Sequence, residues 1–123
     1  MARFMLMVRS GGSWGDRRIV SAEFVSEAIT PATDLNNAYG LLFWHNADPP
    51  WDHTDPRRDR STRFWPQAPL DAYMASGAGD QVSMVLPSQN TLFVRVGPLG
   101  ASSGHDGVVA DELAGLMVAT LEG

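Results

Sequence analysis

The sequence predicts an α+β domain: an antiparallel sheet of about three strands, short helices before it and one longer helix after it. Three observations lead there. Segments with helix-type apolar patterns lie at both ends of the chain. Segments rich in β-branched and aromatic residues lie between them, bounded by turn residues. The turn between the last two strands is too short for a crossover, which makes their pairing antiparallel. At 123 residues, 44% of them apolar, the chain is one domain long and can build a core.

Residues 2–9 (ARFMLMVR) have almost no polar face, which predicts a short buried helix ended by Gly11-Gly12. No Ser, Thr, Asp or Asn precedes it as a cap, so the chain is expected to begin inside an element. Ser21 suits the N-cap of a helix over 22–29, with Val20 and Val25 as a hydrophobic staple and Pro31 as the stop. Its inner face is expected to hold Phe24, Val25, Ala28 and Ile29. Residues 39–46 (YGLLFWHN) are apolar on both faces, as in a covered strand. Residues 72–76 and 81–86 flank Gly77-Ala78-Gly79, which suggests a strand bent or bulged at its glycines. Pro87-Ser88-Gln89-Asn90 then turns the chain into a strand over 91–97. Residues 47–69, with five prolines and many Asp and Arg, read as a long irregular loop. Asp106 caps a last helix to about Leu121, whose stripe is expected to be Val109, Leu113, Leu116, Met117 and Thr120-Leu121. Such a sheet needs cover on both faces, and one terminal helix covers only one.

Composition excludes several classes of function. A net charge of −5 argues against a nucleic-acid partner. No apolar run is long enough to span a bilayer, and residues 1–8 lack the layout of a secretory signal, so a cytoplasmic chain with no membrane partner is expected. With no cysteine there is no thiolate nucleophile and no disulfide. All nine basic residues are arginine, so lysine-dependent chemistry is excluded within this polypeptide.

Three stretches, in order along nearly the whole chain, resemble the C-terminal region of β-lactamase-related serine hydrolases. This group includes class C β-lactamases, penicillin-binding proteins and related esterases. The first is Ala2-Arg3-Phe4 with the apolar run after it, then Gly11-Gly12, Trp14-Gly15, Arg17-Arg18-Ile19-Val20-Ser21 and Glu23-Phe24-Val25. The second is Tyr39-Gly40-Leu41-Leu42-Phe43-Trp44 with Asn46. The third is Ala75-Ser76-Gly77-Ala78-Gly79-Asp80-Gln81, followed by Pro87, Leu92, Val94, Arg95 and Gly97. The resemblance implies a partial β-lactamase/transpeptidase-like fold with no cofactor or metal and a small ester or amide as substrate of the complete enzyme. It makes Ala75, Ser76 and Gly77 the remnant of the family's third motif, and Ala78 a backbone donor to the oxyanion hole. Ala75 stands where Lys or His is commoner, and Asp80 where a second glycine is usual. The nucleophile of the S-x-x-K motif needs a lysine and is absent, and neither Tyr39 nor Tyr73 lies where the family's catalytic tyrosine does.

The expected function is therefore a truncated serine hydrolase with no catalytic residue of its own, inactive alone. The alternatives are a docking subunit that completes the oxyanion strand of a separately encoded hydrolase, and a non-enzymatic binding module. Self-association or docking to an N-terminal fragment would cover the exposed sheet face. Other constellations point to bland roles. His53 with Asp52 and Asp55 could bind a metal, but a solvated loop is the commoner meaning. His45 reads as a core histidine, and His105 precedes the capping Asp106. Arg57, Arg58, Arg60 and Arg63 alternate with Asp55 and Asp59 in a salt-bridged loop. Trp44, Trp51, Phe64 and Trp65 could line a pocket or pin the loop down.

Overall fold

A computed structural model describes residues 1–53, 58–79, 81–97 and 106–123, the side chains of 106–108 excepted. The fold is α+β, as the sequence predicts. Helix α1 (Ala2–Arg9) leads into a small hairpin of β1 (Ser13–Trp14) and β2 (Arg17–Arg18), then α2 (Ala22–Ala28). Strands β3 (Trp44–His45), β4 (Tyr73–Gly77), β5 (Gln81–Leu86) and β6 (Thr91–Arg95) form one antiparallel sheet in the order β3-β4-β5-β6. Helix α3 (Asp106–Glu122) follows.

The local chemistry accounts for most boundaries. Met1 offers α1 no side-chain cap, and the helix ends where Gly11 and Gly12 take positive φ. Gly12 is irreplaceable in two ways. Its φ is +90°, and a Cβ there would lie 2.2 Å from the Val20 carbonyl oxygen. The close approach exists because the Gly12 carbonyl accepts from both Ile19 and Val20. Gly12→Ala is therefore expected to cost about 2–3 kcal/mol, read as a lowered midpoint in thermal circular dichroism. Gly11→Ala meets open space and carries the conformational cost alone. In α2, the Ser21 hydroxyl accepts from the Phe24 amide at 3.1 Å. Val25, Ala28 and Ile29 face inward as expected, whereas Phe24 is exposed.

Three readings of the sequence are corrected. The aromatic run 39–46 is strand only at Trp44–His45. Before that the chain turns sharply through Leu42 at φ 67°, so that Tyr39 bridges back to Trp44. Gly77-Ala78-Gly79 does not bend one strand. Gly77 ends β4 and Ala78-Gly79 start the turn to β5, the two strands pairing antiparallel from Tyr73↔Val85 to Gly77↔Gln81. Finally, the second face of the sheet is not bare. Met74, Val82, Met84 and Leu86 pack with Phe64, Trp65, Ala110 and Ala114 on the α3 side. Tyr73 and Val85 pack with Met5, Val8, Val25, Ala28 and Phe43 on the α1 side. The N-terminal helix supplies the cover that the sequence did not promise.

Helix α3 also lies rotated from expectation. Among its described side chains the fully buried ones are Ala110 and Ala114, one turn apart, while Leu116 and Leu121 stay exposed. Small residues let the helix approach the loop closely. A Cβ on Gly115 would lie 2.5 Å from the Gln67 side-chain oxygen. Among the described residues no helix is long and apolar enough to cross a membrane.

Candidate functional site

The third-motif segment lies at the turn end of β4. Alternation along the strand sends Ala75 to the α1 face, where it packs against the Met5–Val85 cluster. Ser76 pairs with Val82 and so projects toward the α3 face. Gly77 and Ala78 are exposed, and Gly79 turns the chain at φ +77°. Strand β3 pairs only with Tyr73 and Met74. Beyond Met74, among the described residues, no strand pairs with the outer edge of Ala75–Gly77, so alternate backbone groups there point away from β5. Gln81 braces this end. Its amide nitrogen donates to the carbonyls of Gly79 (2.8 Å) and Gly97 (3.3 Å), and its oxygen accepts from the Gly97 amide at 3.0 Å. Asp80 lies outside the described residues.

A serine–histidine arrangement does not form here. His45 pairs with Tyr73 and therefore lies on the α1 face, opposite to Ser76. Its Nε2 is buried without a partner, and burial lowers its pKa below the ordinary 6.5. A lowered histidine pKa means that the unfolded chain takes up protons first as pH falls, so stability is lost below about pH 6.5. His45→Gln is expected to flatten that decline in urea melts between neutral and mildly acid pH. An unchanged slope would show that another group is responsible. Burial likewise pushes the Tyr73 phenol up to about 12, which keeps it neutral at any physiological pH.

The loop over 47–69 is irregular yet firmly packed. Asn46 is 4% exposed and holds it from within. The Asn46 amide nitrogen lies 3.0 Å from each of the Trp65, Ala68 and Pro69 carbonyl oxygens, and its oxygen accepts from the Trp65 amide at 2.8 Å. Phe64 stacks on Trp44 at 5.1 Å and meets Trp51 and Trp65 edge-on at 4.9 Å each. The Trp51 indole donates to the Thr62 carbonyl at 2.8 Å. This aromatic set pins the loop, and Trp51 and Phe64 also line a cleft beside it. The sequence reading missed Asn46 as its latch; a carboxamide closing an apolar aromatic run was the signal available.

Described charged residues of the loop pair within it. Arg60 pairs with Asp52 at 2.9 Å and Arg63 with Asp48 at 3.2 Å, while Asp59 caps Ser61. Asp52 is held below its usual range, first by Arg60 and then by the His53 amide. The His53 ring lies against Trp44 and Phe64. Among the described residues no three His, Asp or Glu side chains converge as metal ligands. Asp55, Arg57 and His105 lie outside the described residues, and the side chain of Asp106 is likewise undescribed. Arg58 lies over the Phe64 ring at 4.0 Å and donates to the Phe64 carbonyl. Beside it is a cleft of about 270 Å³ lined by Trp51, Arg63, Gln67 and Asp111. The Asp111 carboxylate accepts from the Gln67 amide at 2.9 Å, and burial raises its pKa, tying α3 to the loop.

No protein-family model matches the chain, and neither a curated protein nor a solved structure matches it.

Proposed function

We propose that the chain is the C-terminal portion of a β-lactamase-related serine hydrolase fold, without turnover of its own. The observation that best supports this reading is the turn end of β4. There Ala75-Ser76-Gly77 runs past the end of β3, which pairs with Tyr73 and Met74, and leads to exposed Ala78. A sheet edge of this kind can present backbone N–H groups to a developing oxyanion, which is the role the motif resemblance implies. The order of the three resembling stretches along α1, the Tyr39–Asn46 turn and β4–β6 supports the same reading.

Inactivity follows from chemistry. Acylation on serine requires a base that takes the hydroxyl proton. The chain has no lysine, and the histidine beside β4 lies on the face away from Ser76. The purified chain should leave a chromogenic ester and a chromogenic β-lactam hydrolysed at the buffer rate, and Ser76→Ala should be indistinguishable. Hydrolysis that follows the protein through purification and disappears in a serine variant would overturn the reading.

A further inference from the structure

We propose that the cleft between α1, α2 and the start of β4 binds a small carboxylate with a short apolar body, held by the Arg9 guanidinium and the Tyr73 hydroxyl. The cleft measures about 270 Å³, and Val8, Val25, Ile29 and Pro87 wall it around those two polar groups. Ligand sites ordinarily start at about 300 Å³, so its occupant is small. It lies on the α1 face at the Tyr73–Val85 end of β4 and β5, away from Ala75–Ala78, and the proposal does not rest on the hydrolase reading. The described residues that border the undescribed stretches lie elsewhere. Gly79, Gln81 and Gly97 are joined at the far end of the sheet. His53 and Arg58 pack on Phe64, with Ala110 in the same cluster, on the α3 side.

Each polar group lacks a partner of its own. Tyr73 is 5% exposed, and among the described residues nothing hydrogen-bonds its hydroxyl. Buried hydroxyls ordinarily have such a partner. Arg9 is partly buried at the end of α1. Its Nη2 donates to the Asn90 side-chain oxygen, whereas its Nε is buried with no partner. Among the described residues no carboxylate forms an ion pair with it. A partly desolvated charge in that state gains from an anion. The Arg9 charge acts on the Tyr73 phenol, and both groups line the same cleft. Asp71 also acts on the phenol, but its two carboxylate oxygens are held by the Ser88 amide at 2.8 Å and the Ser88 hydroxyl at 3.0 Å.

The chemistry of the cleft selects the ligand. One guanidinium offsets one negative charge, and its planar fork matches the two oxygens of a carboxylate. The phenol, neutral at physiological pH, adds a donor without adding charge. The aliphatic walls take the rest of the ligand, and a bare inorganic anion would leave them uncovered.

Titration of the intact chain with benzoate tests this. The chain has two tyrosines, so ring-labelled tyrosine gives two sets of nuclear magnetic resonance signals. Benzoate should move those of Tyr73 along a saturating curve and leave those of Tyr39, which lies against Trp44, in place. In calorimetric titration, Arg9→Met keeps an apolar stem without the charge and should weaken benzoate binding by about tenfold or more. Tyr73→Phe removes an oxygen that has no partner in the chain. Its far-ultraviolet dichroism and thermal midpoint should therefore hold while benzoate binds several-fold more weakly. Benzyl alcohol has the ring without the charge, and inorganic phosphate has charge without the ring. Each should bind more weakly than benzoate by about tenfold or more. Tyr73 signals that benzoate leaves unmoved overturn the proposal, as does equal binding of benzyl alcohol or of phosphate. Benzoate affinity unchanged in both variants would overturn it equally.

Discussion

Asn46→Ala is expected to destabilise the fold by roughly 3 kcal/mol, read from urea denaturation at neutral pH. The substitution removes one buried acceptor and one buried donor group. It leaves the Trp65 amide and the Ala68 carbonyl oxygen without their Asn46 partner, while the Trp65 and Pro69 carbonyls keep the backbone amides of Ala68 and Ala72. Each buried group so stranded costs about 1–3 kcal/mol, offset in part where water enters. Asn46→Asp sharpens the test because it preserves size and the acceptor for the Trp65 amide. It replaces the donor by a carboxylate oxygen aimed at carbonyl oxygens and buries a charge, so it should be at least as damaging as alanine at pH 7. Partial recovery of Asn46→Asp in acid, where the carboxyl regains a proton to donate, would identify the donor as the half that matters. Equal stability of Asn46→Asp and the wild type at pH 7 would remove the latch from the account.

Phe64→Ala is expected to cost about 4 kcal/mol, within the range for truncating a buried aromatic residue. Phe64 is 1% exposed, and three aromatic rings meet it within 5.1 Å. The Arg58 guanidinium also loses the face it covers, worth about 1 kcal/mol. Phe64→Leu retains most of the volume and should cost less than half as much. Set against the 5–15 kcal/mol typical of a single domain, the alanine variant gives up a large share of total stability. Chemical denaturation of both variants separates a packed core from a loop that merely rests on the sheet. A loss below about 1 kcal/mol for alanine would favour the latter.

The helices were the most legible part of the sequence. Residues 2–9 and 22–29, and the long helix from Asp106, lie where apolar spacing and Ser21 put them. Which side of α3 faces inward was not legible, because hydrophobicity favours Leu116 whereas close helix–loop contact demands Ala110, Ala114 and Gly115. The aromatic run 39–46 carries strand propensity throughout. Tertiary contact overrides it at Gly40, where a Cβ would come within 2.4 Å of the Ala28 and Thr30 carbonyl oxygens. The glycine was visible; the neighbour that requires it was not. At the candidate site, the resemblance located Ala75–Ala78, but the opposition of Ser76 and His45 across the sheet depends on pairing register. Register is fixed by turn geometry and core fit together, and neither can be read from the segment alone.

The sandwiching of the sheet between helices from opposite ends of the chain sets an order of assembly. Strands β4, β5 and β6 are joined by short turns, so each pairing closes a small loop. Helix α1 contacts β5 and β6 across more than seventy residues of chain. Closing a loop of that length costs about 2–3 kcal/mol more entropy than closing a four-residue turn. Docking of α1 thus belongs to the late part of folding, after the hairpins have given it a surface, and its release is the first large opening on the way out. Backbone amides of α1 and of the Gly12 turn would then exchange with solvent by partial unfolding, while those of β5 wait for the whole domain to open.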